Sequence, residues 1–120
     1  MSILLVCGDR NWVDEHLIQE MIETIVKEGN VTRIINGAAR GADKISSKIA
    51  NKLNIECIEY PAKWDNYGRS AGYIRNQQML DDGKPDIVLA FHDDIKKSKD
   101  TKDMITKSMY NNIITMLISH

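Results

Sequence analysis

Residues 36–43, Asn-Gly-Ala-Ala-Arg-Gly-Ala-Asp, have the composition of an anion-binding loop. Gly37 and Gly41 permit a tight turn, and a helix pattern follows directly, so free backbone N–H groups are expected there. Helix N-termini bind phosphate through such groups and the helix dipole, and Arg40 adds a guanidinium suited to a two-oxygen contact. Asp43 ends the segment and is assigned with it to a phosphate or ribose loop. A purely structural β-to-α turn is an equal alternative, because glycine-rich turns are common.

Polar residues also follow two other predicted strands. Gly8, Asp9 and Arg10 come after the first strand, and His92 comes after Phe91 at the end of the fourth. The carboxyl ends of parallel strands border the ligand crevice, so these residues are expected to meet the glycine loop. Asp9 and Arg10 can position a ribose or base, or can pair with each other or with neighbouring loops, and pairing is the commoner case for an isolated acid–base dipeptide. His92 can act as an acid or base or can bind phosphate, and the binding role is favoured because no nucleophile lies beside it in sequence.

Two tryptophans and one helical pair extend this candidate set. Trp12 and Trp64 lie in predicted loops, which suits a stacking platform for a base and equally suits a lid over a small core. Arg75 and Asn76 lie on a predicted helix, from which one of them can reach the crevice. A solvated helix face is the alternative for this pair.

The last predicted helix, residues 101–110, offers a second expected anion site at its N-terminus. Thr101 begins this helix, and Asp100 beside it would repel a phosphate. We therefore expect Asp100→Gly to tighten the binding of a phosphorylated ligand. Nearby aspartates balance the surrounding lysines, which are predicted to form a solvated face: Lys96, Lys97, Lys99, Lys102 and Lys107.

Strand-like and helix-like patterns alternate along the chain. Strands are predicted at residues 3–7, 31–36, 55–60, 86–91 and 113–118. Helices are predicted from Asp14 to Gly29, after the glycine loop, at 70–81 and at 101–110, with an irregular segment through Trp64 and Gly68. Right-handed crossovers then give a three-layer α/β/α sandwich with a five-stranded, mainly parallel sheet. We predict one domain over residues 1–120.

Composition excludes several classes of protein. The 120 residues carry 16 basic and 17 acidic side chains, a net charge of −1, which makes duplex nucleic acid an improbable partner. The apolar run at residues 3–7 is far shorter than a signal h-region or the roughly 20 residues that a membrane span needs, so we expect neither. Cys7 and Cys57 lie in apolar runs, which indicates buried thiols in a reducing compartment. These features predict a cytoplasmic protein with no membrane contact, no metal and no cofactor.

Five ordered blocks of this chain resemble the small YspA-like proteins (the DUF2493 type) of the SLOG superfamily. The resemblance covers nearly the whole chain and implies a Rossmann-like domain that binds nucleotides or nucleotide-derived ligands. Members occur in bacteria and their phages, so a phage origin is one expectation. The matching blocks are Gly8-Asp9-Arg10 with Trp12 and Asp14, residues 36–43, residues 61–64, Ala71-Gly72 with Arg75, Asn76 and Met79, and Ala90-Phe91.

One block departs from the family pattern. Relatives carry a glycine-rich stretch after the fourth strand and a Gly-Thr pair at the next helix, where this chain has Asp93-Asp94 and Asp100-Thr101. In the cytokinin-activating phosphoribohydrolases of this superfamily, a catalytic glutamate follows that threonine by three residues. The matching residue here is Met104, and Asp103 would point about 100° away around the helix. The resemblance therefore favours binding over hydrolysis.

The leading hypothesis is a module that senses or sequesters a nucleotide-derived small molecule, such as an ADP-ribose-like or cyclic nucleotide signal. A phage protein that removes a host defence messenger is one form of it. The alternative is a nucleotide-cleaving phosphoribohydrolase-like or N-glycosidase enzyme with Asp43, His92 and Arg75 as catalytic residues. A DNA-processing accessory is a third hypothesis, which the net charge disfavours. The predicted ligand-binding residues are Gly8, Asp9, Arg10, Gly37, Arg40, Gly41, Asp43, Trp64, Arg75, Asn76, Phe91, His92 and Thr101.

A homo-oligomer is also expected, because superfamily members commonly assemble through helices that flank the crevice. Met79 with Leu80, and the face over residues 104–109, are candidate contact surfaces. Burial in the core is the commoner fate of such side chains. The spacing of Met104, Ile105 and Met109 predicts that all three face inward.

Overall fold

Residues 2–120 are described by a computed structural model, and within that range five parallel strands form a single sheet. The spatial order of the strands is β3-β2-β1-β4-β5. The direction in which successive strands are added therefore reverses between β1 and β4. This arrangement confirms the predicted Rossmann-like α/β sheet, and ligands of such sheets bind beyond the strand ends at that point. The strands are β1 (Ser2–Gly8), β2 (Val31–Asn36), β3 (Glu56–Glu59), β4 (Ile87–Phe91) and β5 (Ile114–Ile118).

Helices cover both faces of the sheet. The helices are α1 (Glu15–Gly29), α2 (Ala42–Lys52), α3 (Trp64–Tyr67), α4 (Ala71–Gly83) and α5 (Lys99–Tyr110). Alternate residues of β1 face opposite layers, as strand geometry requires. Leu4 and Val6 pack in the cluster that contains α1 and α2 residues, whereas Leu5 and Cys7 pack with α4 and α5 residues.

Three helical segments differ from the sequence-based expectation. Helix α4 covers Ala71–Gly83 rather than 70–81, because the chain leaves the helix only at Lys84, whose φ is +48°. The segment after residue 63 is helical rather than irregular, because the Asn66 and Tyr67 amides both donate to the Lys63 carbonyl at 3.0 Å. One turn is too short to show a helical period in sequence. The last helix begins at Lys99, earlier than predicted, because the Ser98 hydroxyl accepts the Thr101 N–H at 3.2 Å.

Several side chains lie elsewhere than predicted. Trp12 is only 4% exposed, and its ring centroid lies 5.5 Å from that of Phe91 in an edge-to-face contact, so it belongs to the core and offers no platform for a base. Met104 faces inward and is fully buried, whereas Met109 lies about 140° away around α5 and is 63% exposed. Met79 and Leu80 are also buried, which removes them and Met104 as surfaces for assembly. The homo-oligomer stays a prediction.

Two further predictions concern the cysteines and the membrane. Cys7 lies buried in β1 and Cys57 half-buried in β3, and both are free thiols. Within residues 2–120, none of the helices combines the length and the apolar character that crossing a bilayer requires.

Gly41 lies where the loop after β2 contacts the loop after β1. Its φ of +77° lies in the region that favours glycine, and an added Cβ would lie 2.3 Å from the Asp9 carbonyl oxygen. The next amide, that of Ala42, donates to the same Asp9 oxygen at 3.1 Å. The start of α2 therefore depends on a close approach to the loop after β1.

We expect Gly41→Ala to lower the free energy of unfolding by roughly 2–4 kcal/mol, because both the backbone angle and the missing space oppose a side chain. Urea denaturation measures this change. Gly29→Ala is the matched control, since its Cβ would meet Ile87 at an ordinary 3.5 Å. Equal effects of the two substitutions would contradict this description of the loop.

Candidate functional site

A cavity of about 330 Å³ opens at the carboxyl ends of β1 and β4. The loop after β1, the start of α2, the middle of α4 and the start of α5 form its walls. It brings together nine of the residues predicted from sequence: Gly8, Asp9, Arg10, Arg40, Asp43, Arg75, Asn76, His92 and Thr101.

A second cavity of about 510 Å³ adjoins the first. Gly37, Pro61 and Trp64 line it. Arg10, Arg40 and Arg75 line both cavities, and we call these three side chains the arginine ridge. We call the two cavities that share these residues the first and second lobes of the cleft.

Arg75 is the most buried member of the ridge, with only 5% of the residue exposed. Its Nη1 donates to the Gly37 carbonyl at 2.6 Å, and its Nε donates to Asn76 Oδ1 at 3.0 Å. A Cβ on residue 37 would lie 2.2 Å from Nη1, so the guanidinium reaches this carbonyl only past a glycine. These contacts hold a full positive charge in place at the cavity floor.

The Asp100 carboxylate pairs with two arginines of the ridge. One carboxylate oxygen lies 3.2 Å from Arg10 Nη2 and 3.7 Å from Arg75 Nη2. A Cβ at Gly72 would come within 2.5 Å of this carboxylate, so α4 leaves room for it. The carboxylate occupies the position between two guanidinium groups where a phosphate would bind best.

Three backbone N–H groups of the glycine loop and the start of α2 donate hydrogen bonds within the protein. The Ala38 N–H donates to Asn36 Oδ1 at 2.8 Å, and the Ala39 N–H donates to Asp43 Oδ2 at 3.2 Å. The Ala42 amide is also taken, by the Asp9 carbonyl. The structural alternative for this loop is therefore favoured over an open phosphate cradle. Positive charge at the cleft comes from side chains instead.

Asp43 lies in the first turn of α2 and is 5% exposed. Its second oxygen, Oδ1, has no hydrogen-bond partner among residues 2–120, an arrangement that costs about 1–3 kcal/mol. Burial raises the pKa of this carboxyl to about 6, against the opposing charge of Arg75. Burial, and next the charge of Asp43, also raise the pKa of the Cys7 thiol far above its ordinary value. Cys7 therefore stays protonated and is a poor nucleophile.

His92 is oriented by the loop that follows it. Its Nδ1 accepts the Asp94 N–H at 2.9 Å, so the neutral ring carries its proton on Nε2. The basic lone pair is thereby used within the protein. His92 is arranged to donate a hydrogen bond to a ligand rather than to remove a proton.

Two predicted site residues line neither lobe. Gly41 caps α2, and the Phe91 side chain is buried in the core, where β4 directs it toward Trp12. Phe91 contributes only its carbonyl, which accepts the Asp9 N–H at 2.8 Å.

Sequence reasoning missed Lys97, Ser98 and Lys99, which also line the first cavity. The two lysines were predicted to lie on a solvated face because nearby aspartates balance their charge. A serine three residues before Thr101 is a helix-cap signal, and reading it would have moved these residues to the strand end.

Trp64 supplies the aromatic surface of the cleft. It is 45% exposed, and the Arg10 guanidinium carbon lies 5.4 Å from the ring centroid. A ring beside an arginine can stack on a planar base. Of the two tryptophans, this one is therefore accessible to a ligand.

The comparison with known proteins agrees with this architecture. Residues 2–67, more than half of the chain, match the YspA, cpYpsA-related SLOG family. The chain belongs to this family. Membership in the SLOG family indicates a nucleotide-related ligand-binding or enzymatic domain. The match ends before α4, so Arg75, His92 and Asp100 lie outside it.

A phage-encoded relative is also similar to this SLOG chain. The Gene 61 protein of Mycobacterium phage D29 is 29% identical over 97 residues, which cover 76% of this chain and 77% of the relative. Its similarity supports a phage origin.

The pairing of Asp100 with Arg10 and Arg75 should lower the affinity of the cleft for anions. Asp100→Asn keeps the shape of the side chain but frees Arg10 and Arg75, so we expect pyrophosphate to bind roughly 10- to 100-fold tighter. Isothermal titration calorimetry measures this change, with Asp82→Asn on the exposed end of α4 as a matched control. Unchanged affinity would show that Asp100 does not compete with anions.

The raised pKa of Asp43 should make the stability of the protein depend on pH. The folded pKa of about 6 exceeds the ordinary 3.8, so the folded protein loses stability as pH rises through that interval. Relative to the parent, Asp43→Asn should gain about 2–3 kcal/mol in free energy of unfolding between pH 4 and pH 8. Urea denaturation at both pH values checks this, and a difference that is constant with pH would contradict it.

Proposed function

We propose that the chain binds a nucleotide-derived small molecule, of the ADP-ribose-like or cyclic nucleotide class, in the two-lobed cleft. The observation that carries the proposal is the convergence of basic side chains from separate elements on one cavity. Five of them line the first lobe, against three carboxylates: Arg10, Arg40, Arg75, Lys97 and Lys99 face Asp9, Asp43 and Asp100. Such a site favours phosphate, and arginine binds it through two parallel hydrogen bonds.

The second lobe supports the nucleotide part of the proposal. Trp64 gives a planar, exposed ring next to the arginine ridge. A base stacked on Trp64 would leave its phosphates within reach of Arg10 and Arg40. This division into an aromatic lobe and a charged lobe matches the two chemical halves of a nucleotide.

Binding without cleavage is the proposed outcome. Met104, where related phosphoribohydrolases have their glutamate, is fully buried in the core and cannot reach a ligand. The ring of His92 is arranged as a donor, and the Cys7 thiol stays protonated. The first lobe therefore presents hydrogen-bond donors and fixed charge rather than an activated nucleophile.

The biological role that we propose is to sense or sequester a signal. The phage-encoded relative supports a form in which the protein removes a host defence messenger from solution. Assembly of several copies is part of this proposal. Exposed apolar side chains near the end of α5 and on β5, at Met109, Tyr110, Ile114 and Leu117, support it.

One observation favours the enzymatic alternative. A buried carboxyl with a pKa of about 6, that of Asp43, suits acid–base catalysis near neutral pH. Release of free base from a nucleotide by the purified protein, abolished in Asp43→Asn, would establish an N-glycosidase or phosphoribohydrolase and overturn the binding proposal.

The testing experiment begins with native mass spectrometry of protein purified from its expression host and then incubated with a nucleotide panel. We expect a complex of intact mass for at least one member, with no cleaved product. Arg40→Ala should weaken that complex about tenfold or more, because Arg40 lines both lobes and its one side-chain hydrogen bond among residues 2–120 is the 3.4 Å contact with Asn11.

Arg69→Ala is the matched control, because Arg69 is exposed outside the two lobes. The nucleotide affinity of the Arg69→Ala variant should equal that of the parent protein. If ADP-ribose, cyclic dinucleotides, cyclic mononucleotides and linear nucleotides all fail to bind, the proposal is wrong.

A further inference from the structure

The outer edge of β5 is an unprotected border of the sheet. Within residues 2–120, β5 pairs with β4 alone. Proteins ordinarily protect a bordering strand with charged side chains, because its free N–H and C=O groups can pair with another chain. The opposite border, β3, follows this rule: it carries Glu56 and Glu59, which form ion pairs with Arg33 and Lys44. By contrast, residues 108–119 contain no Asp, Glu, Lys or Arg, in a chain that is 28% charged.

Large aliphatic side chains are exposed on both faces of β5. Ile114 is 64% exposed and Leu117 is 46% exposed. Side chains alternate along a strand, so these two residues lie on opposite faces. Ile114 shares its face with Met116 and Ile118, which pack against the core cluster of α1 and α2. An additional apolar strand beside β5 would therefore extend a surface that is already packed on its inner side.

The backbone groups that face outward belong to Thr115 and Leu117. The Ile118 carbonyl accepts the His92 N–H at 3.0 Å, so the backbone of Ile118 faces β4. Because this orientation alternates along a strand, the N–H and C=O groups of Thr115 and Leu117 point away from the sheet. A second strand is the partner whose donors and acceptors match this spacing.

The sequence of β5, Ile-Thr-Met-Leu-Ile, is complementary to itself in the antiparallel direction. With a two-fold axis at Met116, Ile114 of one copy lies opposite Ile118 of the other, and the two Met116 side chains meet. Thr115 of each copy lies opposite Leu117 of the other, where the two residues exchange both of their N–H···O=C bonds. Aliphatic cross-strand pairs stabilise such a contact, and no like charges oppose each other. A register centred on another residue leaves part of β5 unpaired.

We propose that β5 is the interface between two copies of this chain, whose β5 strands pair antiparallel about a two-fold axis at Met116. The two five-stranded sheets then become continuous across the axis. A two-fold contact of this kind closes on itself, and the charged edge at β3 opposes further growth. This inference specifies the assembly named in the proposed function and rests on that part of it alone. It places the contact on the sheet edge rather than on the helices beside the cleft.

The first test is analytical ultracentrifugation of the purified chain over a range of concentrations. We expect a dimer. Ile114→Lys and Leu117→Lys should each weaken it at least about tenfold, because each places a charge without a counter-ion beside the partner strand. Val13→Lys is the matched control, since Val13 is also an exposed aliphatic residue but precedes α1. Its dimer should be as stable as that of the parent.

The second test is cross-linking through an introduced cysteine, in a Cys57→Ser background, and it reports the register. Residue 116 is the position of β5 that lies opposite its own copy, with Cβ atoms about 5 Å apart. Mild oxidation should therefore join Met116→Cys chains by a disulfide. Ile114→Cys should stay unlinked although residue 114 is more exposed, because its opposite residue is Ile118.

The outcomes separate this inference from the rest of the proposed function. A monomer at every concentration overturns both the β5 interface and the proposed assembly, whereas nucleotide binding is measured independently. A trimer, a dimer that neither lysine variant weakens, or equal cross-linking of the two cysteine variants overturns the β5 interface alone. Circular dichroism checks that the variants fold. Because Met116→Cys keeps a small apolar side chain at its position, the cross-linking test decides even if a lysine variant unfolds.

Discussion

The burial of one guanidinium, that of Arg75, is the constraint on which this cleft depends. A positive charge withdrawn from water must have hydrogen-bond acceptors and nearby negative charge, or it destabilises the fold by several kcal/mol. Gly37, Asn76 and Asp100 provide these contacts from a loop, a helix and a second helix. The same contacts tie the carboxyl ends of the strands to α4 and α5. Arg75 therefore contributes both to the stability of the fold and to the positive charge of the cleft.

This constraint explains why the site combines opposite charges. Asp100 neutralises part of the ridge in the structure, and Asp43 lies close enough for Arg75 to lower its pKa while burial raises it further. A phosphate bound at the ridge would take the place of the Asp100 carboxylate as the partner of Arg10 and Arg75. The exchange of one anion for another keeps the buried charge balanced, which suits a site that must be stable both before and after binding.

The order of strands and helices could be predicted from sequence because apolar runs and amphipathic periods carry that information, as the bounds of β2 and the Asp14 cap of α1 show. The cleft was predictable to the extent that strand ends must meet at one edge. Lys97 and Lys99 were missed because their charge balance with nearby aspartates favoured a solvated face, and the sequence pattern does not show that they line a cavity. Trp12 and Trp64 looked alike in sequence, since only the packing of Phe91 decides which ring is buried. The pairing of Asp100 with two arginines joins residues 25 and 90 positions apart, which no local pattern encodes.

Phosphate binding at the arginine ridge is tested most directly by a crystal structure of the protein grown with saturating ADP-ribose. We expect diphosphate oxygens within hydrogen-bond distance of Arg10 and Arg40, with the Asp100 carboxylate moved away from Arg10. A cleft that stays empty, a diphosphate bound away from the arginine ridge, or an Asp100 still paired with both arginines beside a bound ligand would contradict it.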